Sequence, residues 1–414
     1  MTSKLFEPIR LRGLTLPNRI VVAPMCQYSA VDGIASDWHV MHWTQFAVAG
    51  VGLFVAEATG VSAQGRISPG CLGLYSDENE AAMGRALAAA KKYGAAPMGI
   101  QLAHAGRKAS TYAPGPKGMG ALKPEDGAWE TVSASAIPYT ETWHTPRALD
   151  RAGLARVKQE FVDSAKRAVR LGMDEIELHM AHGYLMQQFL SPLSNRRNDE
   201  YGGTLEGRMK FPLEVFEAVR AAMPGDKPLG ARINATDWAE GGWEIEDAVI
   251  LARELKALGC DFLCVSSSGS TPAQKIPVAP LYQVPFAKRI RDEAKIMTRA
   301  VGLIITPQQA EQVLEDGAAD MIALARGLLD DPHWAWHAAK LMGADAVGDN
   351  GQVARAGRQQ RFGQRDRLVA RRKAAHEHGG AVRHPRHRLG QRRNLLIDHE
   401  KRPTPCPAFQ MLCG

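Results

Sequence analysis

The feature that most constrains the fold is a joint that recurs along the chain. "RLGMDEIEL", "ALGCDFLCV" and "EDGAADMIAL" each leave a helical pattern through a glycine (Gly172, Gly259, Gly317), pass an aspartate and enter a short apolar run. Glycine suits that place because the residue just past a helix takes positive φ. The runs belong to a set of eight: "IVVAP" (20–24), "LFVAEA" (53–58), "MGIQLA" (98–103), "DEIELH" (174–179), "LGARI" (229–233), "DFLCVS" (261–266), "RAVGL" (299–303) and "DMIALA" (320–325). They are largely non-alternating, as strands of a parallel sheet covered on both faces should be. Helical periodicity fills the gaps: Leu154, Val157, Phe161, Ala165 and Ala168 line one face, and Ala248, Leu251, Leu255 and Leu258 line another. Thr306, Pro307 and Gln309 read as N-cap, N1 and N3 of a further helix. Eight strands each followed by a helix imply an α/β fold, a (β/α)8 TIM barrel with a short N-terminal hairpin and loop insertions, the clearest at 105–148. A doubly wound open sheet is the competing topology; no G-x-G-x-x-G follows the first strand, which counts against it.

Charge is unevenly placed. The chain of 414 residues has a net charge of +7, yet residues 350–414 hold 15 of the 51 Lys and Arg and 4 of the 44 Asp and Glu. The body before them is therefore slightly acidic, and a nucleic-acid reading from charge loses its support. No run reaches membrane-spanning length and the N-terminus has no apolar signal core, so a cytoplasmic enzyme is expected. Six cysteines without close pairing do not suggest a disulfide framework, and Cys260 and Cys264 read as core.

In a parallel barrel, chemistry sits at the C-terminal ends of the strands. The candidates there are Ala23, Pro24, Met25, Cys26 and Tyr28; Glu57 and Ala58; Gln101, His104, Arg107 and Lys108; His179, His182 and Tyr184; Arg232 and Asn234; Gly302; and Ala325, Arg326 and Gly327. A metal held by His179 and His182, with Cys26 and His104 completing it, is disfavoured because no carboxylate joins the cluster and a tyrosine follows. A flavin or another phosphorylated cofactor fits better. Gly302 and Gly327 let backbone approach a phosphate, Arg326 supplies a bidentate cation, Arg232 pairs with electron-rich ring atoms, and Gln101 suits a pyrimidine edge. Two neutral imidazoles aimed at one point would hold a carbonyl oxygen or phenolate. Tyr184 then stands as a general acid to carbon.

"LFEPIRLRGLTLPNRIVVAPMCQYSAVDG", "IQLAHAGRKAS", "ELHMAHGYLMQQFLSPLSNRRNDEYGG", "VGLIITPQQA" and "LARGLLDDPHW" resemble the Old Yellow Enzyme family, and within it the NADPH dehydrogenase A branch of thermophilic-like ene-reductases. The resemblance runs from about residue 3 to 343 and implies an FMN-binding TIM barrel over residues 1–343. It implies non-covalent FMN, NADPH (or NADH) as hydride donor, α,β-unsaturated carbonyl acceptors, ping-pong hydride transfer and a homo-oligomer, dimer or tetramer. It assigns Ala23, Pro24, Met25, Cys26, Ala58, Gln101, Arg232, Gly302, Ala325 and Arg326 to the cofactor. Cys26 tunes its reduction potential and touches substrate, His179 and His182 bind the substrate carbonyl, Tyr184 is the proton donor and Tyr28 lines the substrate pocket. Lys108 falls near the mouth.

Three features depart from the family. Ala325 stands where many relatives have glycine. Arg299 stands where a small or apolar residue is expected; either it points outward at its strand's start, or the site is perturbed. Residues 344–414 replace the family's short terminal segment with an atypical basic tail, read as disordered or as an out-of-frame translation of the gene's 3′ end. Its two phenylalanines are too few for a nucleic-acid surface. A flavin-binding barrel with impaired turnover, acting mainly as a slow NADPH oxidase, is the alternative function. Demethylation or dienoyl-CoA reduction is weaker, for want of an iron–sulfur cysteine cluster and a second flavin domain.

Overall fold

The structure is a computed structural model, and it describes residues 3–115 and 119–344. The basic tail from residue 345 onward lies outside the described residues. Strands β1 (Ile9–Leu11) and β2 (Leu14–Leu16) form an antiparallel hairpin. β3 (Ile20–Val22), β4 (Leu53–Gly60) and β5 (Met98–Ala103) open the barrel. A two-residue pair, β6 (Val132–Ser133) and β7 (Arg147–Ala148), lies inside the 105–148 insertion. β8 (Glu175–Met180), β9 (Leu229–Asn234), β10 (Phe262–Ser266), β11 (Met297–Ala300) and β12 (Met321–Leu324) complete it, and β12 pairs with β3 to close eight parallel strands. The hairpin, the barrel and all eight strands expected from the sequence are present. Helices α1 (Asp37–Ala47), α2 (Asp77–Tyr93), α3 (Arg151–Leu171), α4 (Leu185–Leu190), α5 (Leu205–Ala222), α6 (Ile245–Ala257), α7 (Val284–Ala294), α8 (Pro307–Glu315), α9 (Arg326–Asp330) and α10 (Trp334–Met342) fill the connections. The box that caps α8 forms as read: Thr306 accepts from the Gln309 amide and the Gln309 side chain returns to the Thr306 amide.

The seventh strand is displaced from its reading. "RAVGL" was expected at 299–303, but β11 ends at Ala300, because Gly302 and Leu303 take φ of +104° and +53° and end the extended backbone. Arg299 is thereby the third residue of the strand and faces the barrel axis, fully buried. It neither points outward nor stands unpaired: Nη2 meets Glu175 at 2.9 Å and Nη1 meets Glu177 at 3.3 Å. Two buried carboxylates offset the cost of burying the cation.

Side chains alternate between two cores. Ile20, Val22, Phe54, Ile176 and Leu178 face outward onto the helices, while Val21, Leu53, Val55, Phe262 and Met321 face inward and pack on Leu11 and Leu16 of the hairpin. The repeated joint has a physical purpose. Gly172, Gly259 and Gly317 all take positive φ, at +83°, +89° and +62°. The aspartates that follow accept the amide of the first or second residue of the neighbouring strand: Asp174 from Met98 (2.8 Å), Asp261 from Leu229 (2.9 Å) and Asp320 from Thr298 (2.9 Å). One cation then grips each joint at both the glycine carbonyl and the carboxylate: Lys91 at Gly172 and Asp174, Arg12 at Gly259 and Asp261, and Arg291 at Gly317 and Asp320.

Each joint thus satisfies a strand-end donor that the ladder leaves over. Asp320→Ala is expected to lower the unfolding free energy by about 1–3 kcal/mol, since it strands a partly buried amide and a guanidinium. Urea denaturation checks this, with the same loss expected for Asp174→Ala.

Candidate active site

A cavity of about 410 Å³ opens at the C-terminal ends of the strands. Seven of the eight barrel strands or the loops that follow them contribute: Ala23, Pro24 and Cys26 follow β3, Ala58 lies near the end of β4, Gln101 lies on β5, His179 on β8, Arg232 on β9, Val301 to Ile305 follow β11, and Ala323 to Gly327 run from β12 into α9. His182, Tyr184 and Asp330 complete the lining. Of the residues singled out from sequence, Met25 and Tyr28 do not line it. The Met25 side chain is buried in the outer core, and Tyr28 packs with Cys26, Cys71 and Tyr184 in a small cluster beside it. His104 is buried off the cavity, its Nδ1 accepting from the Gly106 amide. Among the described residues no group of three His, Cys, Asp or Glu could hold a metal ion.

The first wall is shaped by an irregularity in β4. The register passes from Ala56↔Ile100 to Ala58↔Gln101, so Glu57 is an extra residue. The bulge re-aims the strand end: Ala58 reaches the cavity, and Glu57 turns under the preceding loop, where it accepts the Gln27 amide at 2.9 Å and faces His39 at 3.3 Å. Burial pushes the Glu57 carboxyl up, against His39 and the Gln27 amide.

The opposite wall carries the polar chemistry. His179 and His182 meet edge to face with ring centroids 5.1 Å apart, and His179 stands 4.9 Å from Tyr184. The Ala181 amide donates to His179 Nδ1 (3.2 Å), which leaves Nε2 to carry the proton of the neutral ring. Burial, then the Arg232 charge, hold both imidazoles well below the ordinary histidine range, so they are neutral at physiological pH. Burial moves Tyr184 the other way, well above the usual phenol range.

The backbone here is strained and tied down. His182 takes φ +58° and Gly183 +68°, a reversal that leaves no room for a Cβ at Gly183, which would lie 2.1 Å from the Gly269 carbonyl. Asn234 Oδ1 accepts the His182 amide (3.0 Å). Lys108, expected near the mouth, is buried: it donates to the His182 carbonyl (2.8 Å) and the Gly269 carbonyl (3.0 Å), with its ammonium over the rings of Tyr139 and Tyr184. Asp237 gathers Gln187, Ser191, Ser270 and the Trp243 amide, joining the loops that follow β8, β9 and β10.

Ser266 escaped the sequence reading. Its hydroxyl lies 2.8 Å from His182 Nε2 and accepts from Arg232 at 3.4 Å. The signal was available, because Ser266 ends the sixth barrel strand. Glu177 also escaped it, hidden by its place one turn of the pleat below His179.

A closed parallel barrel with a polar cavity at this rim is the plan of a barrel enzyme, and comparison with known proteins identifies the class. Residues 4–343 match the NADH:flavin oxidoreductase / NADH oxidase family. An NADPH dehydrogenase of Geobacillus sp. (strain WCH70) is 47% identical over 345 residues, 83% of this chain and 96% of the relative. One from Listeria innocua serovar 6a is 44% identical over 343 residues, 82% and 96%. Among solved structures, morphinone reductase superposes with a TM-score of 0.69 at 26% identity, covering 85% of this chain and 93% of that one. Morphinone reductase in complex with tetrahydroNAD gives 0.68 at 26%, covering 84% and 93%. The chain belongs to the NADH:flavin oxidoreductase family, as the Old Yellow Enzyme resemblance implied. It is an enzyme, an FMN-dependent NAD(P)H oxidoreductase.

Lys108 yields a stability measurement. Burial, with Arg107 beside it, brings its pKa down from 10.5 to about 7. Between those values the unfolded chain binds more protons than the fold, so this share of stability is present above 10.5 and lost as pH falls through 7. The unfolding free energy of the wild-type protein relative to Lys108→Met is expected to rise by roughly 1.5 kcal/mol from pH 7 to 8.5, read from urea titrations at each pH.

Proposed function

We propose that the enzyme reduces the C=C bond of α,β-unsaturated carbonyl compounds, with NADPH (or NADH) as hydride donor. The observation that carries this reading is the convergence of His179, His182 and Tyr184 on the cavity that Gln101 and Arg232 also line.

The lining suits FMN. Ala23, Pro24, Ala58, Val301 and Ala323 offer small apolar surface to a flat ring system, and Gln101 and Arg232 offer polar groups to its edge. Gly302, Ala325 and Arg326 stand at the phosphate end, where Gly302 is packed too tightly for a side chain: a Cβ would lie 2.9 Å from Gln283. Cys26 lines the same cavity and would tune the reduction potential of a flavin held there. Bound there, a flavin would supply the hydride chemistry between the nicotinamide and the substrate β-carbon. A morphinone reductase solved with tetrahydroNAD supports nicotinamide as the donor.

The chain's own residues do the rest. The two imidazoles bind the substrate carbonyl oxygen and stabilise the negative charge that grows on it. Being neutral, they do so without giving up a proton. Tyr184 holds its proton at Oη and delivers it to the α-carbon. Tyr28, beside Tyr184 and Cys26, borders the substrate's end of the pocket. Donor and acceptor use one face of the cavity and bind in turn, which makes the kinetics ping-pong.

The purified protein is expected to be yellow, to bleach anaerobically with NADPH and to regain colour with cyclohexenone. Bleaching without that recovery, with slow reoxidation in air, would mark an NADPH oxidase and reject the enone reading. His182→Ala is expected to retain FMN and to slow recovery about 10²-fold, and Tyr184→Phe about 10²-fold, by stopped-flow absorbance.

A further inference from the structure

The charged half of the barrel interior leads to one cavity residue. Gln101 Nε2 donates to Glu177 Oε1 at 2.7 Å. Arg299 Nη1 donates to Glu177 Oε2 at 3.3 Å, and Nη2 donates to both Glu175 oxygens at 3.1 and 2.9 Å. All four side chains are buried, and the guanidinium lies 4.2 Å over the Phe262 ring.

Hydrogen-bond chemistry gives this chain one direction. A guanidinium has only donors and a carboxylate only acceptors. Arg299 therefore donates, Glu177 accepts on both oxygens, and Gln101 has to turn its amino group inward. The link to Glu177 is the one side-chain hydrogen bond Gln101 makes among the described residues, and its other face lines the cavity. An unconstrained glutamine could present either end; this one cannot.

We infer that Glu177, held by Arg299, is a positioning residue that fixes the Gln101 amide with its carbonyl oxygen toward the cavity. The site then favours a ligand edge that offers an N–H donor next to a carbonyl, as the imide edge of a flavin does. Oε1 accepts from the N–H, and the second Nε2 hydrogen remains for the carbonyl. The inference rests on the reading of the cavity as the FMN site. Arg299, out of place in a barrel core when met in the sequence, is the anchor of this selection.

The test is FMN binding by apoprotein, followed by quenching of FMN fluorescence, not turnover. In Glu177→Gln the new amide has to turn its oxygen to Arg299 and its amino group to Gln101. Gln101 must answer with its oxygen, and two N–H donors then face the cavity. FMN is expected to bind about tenfold more weakly, the loss of one well-placed hydrogen bond. In a Gln101→Met background, where no amide can be turned, Glu177→Gln is expected to change FMN affinity by less than about twofold. An equal loss in both backgrounds overturns the inference, since the effect would then be one of packing. So does a Glu177→Gln protein that binds FMN as tightly as wild type. If Glu177→Gln fails to fold, Glu177→Asp carries the same cycle: it keeps the charge against Arg299 but withdraws the acceptor from Gln101. A wild-type chain that takes up no FMN at all would sink the cofactor reading itself, a failure distinct from either of the others.

Discussion

Inside a closed barrel every second side chain points at the axis, where water cannot follow. This constraint orders the rest of the molecule. On one side the axis is filled by Val21, Leu53, Val55, Phe262 and Met321, resting on the hairpin. On the other it holds Glu175, Glu177 and Arg299, all buried. Two carboxylates against one guanidinium leave the group with an excess of negative charge. Burial brings Glu175 up to about 7 despite Arg299, and the two carboxylates raise Arg299 above its ordinary value against burial. The arrangement holds because every charge has a partner and Gln101 takes the remaining acceptor. Replacing one member alone would leave another buried and uncompensated, which is where the large penalties of buried ion pairs arise.

The rim above this axis is built from backbone that side-chain-bearing residues rarely adopt. Tyr28, Ser110, His182, Trp238, Ser268 and Leu303 all take positive φ. Such residues cost on the order of 1 kcal/mol each or more, and persist where surrounding contacts over-determine them. Those contacts are present. Lys108 ties the His182 carbonyl to that of Gly269, Arg107 reaches the Ser270 carbonyl at 2.7 Å, and Asp237 draws three loops together. The cost is accepted in exchange for imidazoles whose direction does not depend on a ligand's arrival.

Much of this was legible in the sequence, for reasons that can be named. Strands were found because a parallel sheet demands short apolar runs, and their starts because Gly172, Gly259 and Gly317 mark helix ends. The displaced seventh strand shows the limit: "RAVGL" is as apolar as its neighbours, and only the positive φ of Gly302 and Leu303 ends it early. The rim residues were found because chemistry-bearing types cluster at strand ends. Glu177 and the inward turn of Arg299 were not, because partnership across strands depends on register, and register is invisible one strand at a time. Arg299 faces Cys264 across β10, and Glu177 faces Gln101 across β5; no spacing within a single segment reveals either pairing.

One physical cause sets both proton states in the cavity. Burial disfavours the charged form of any group, so it lowers the imidazoles and raises the phenol. His179 and His182 therefore stay neutral and Tyr184 stays protonated, without a carboxylate to enforce either. Arg232 acts on all three groups in the same direction. Its charge pushes both imidazoles further from protonation, while it draws the tyrosine slightly toward ionisation. In the proposed reaction this is the useful combination. Negative charge gathering on a substrate oxygen meets neutral N–H donors in the field of a guanidinium, and the phenol keeps its proton for the carbon. Protonated imidazoles would bind the oxygen more strongly but would also surrender a proton to it, and the addition would be diverted from carbon. The dry wall that strains the backbone is the same wall that prevents this.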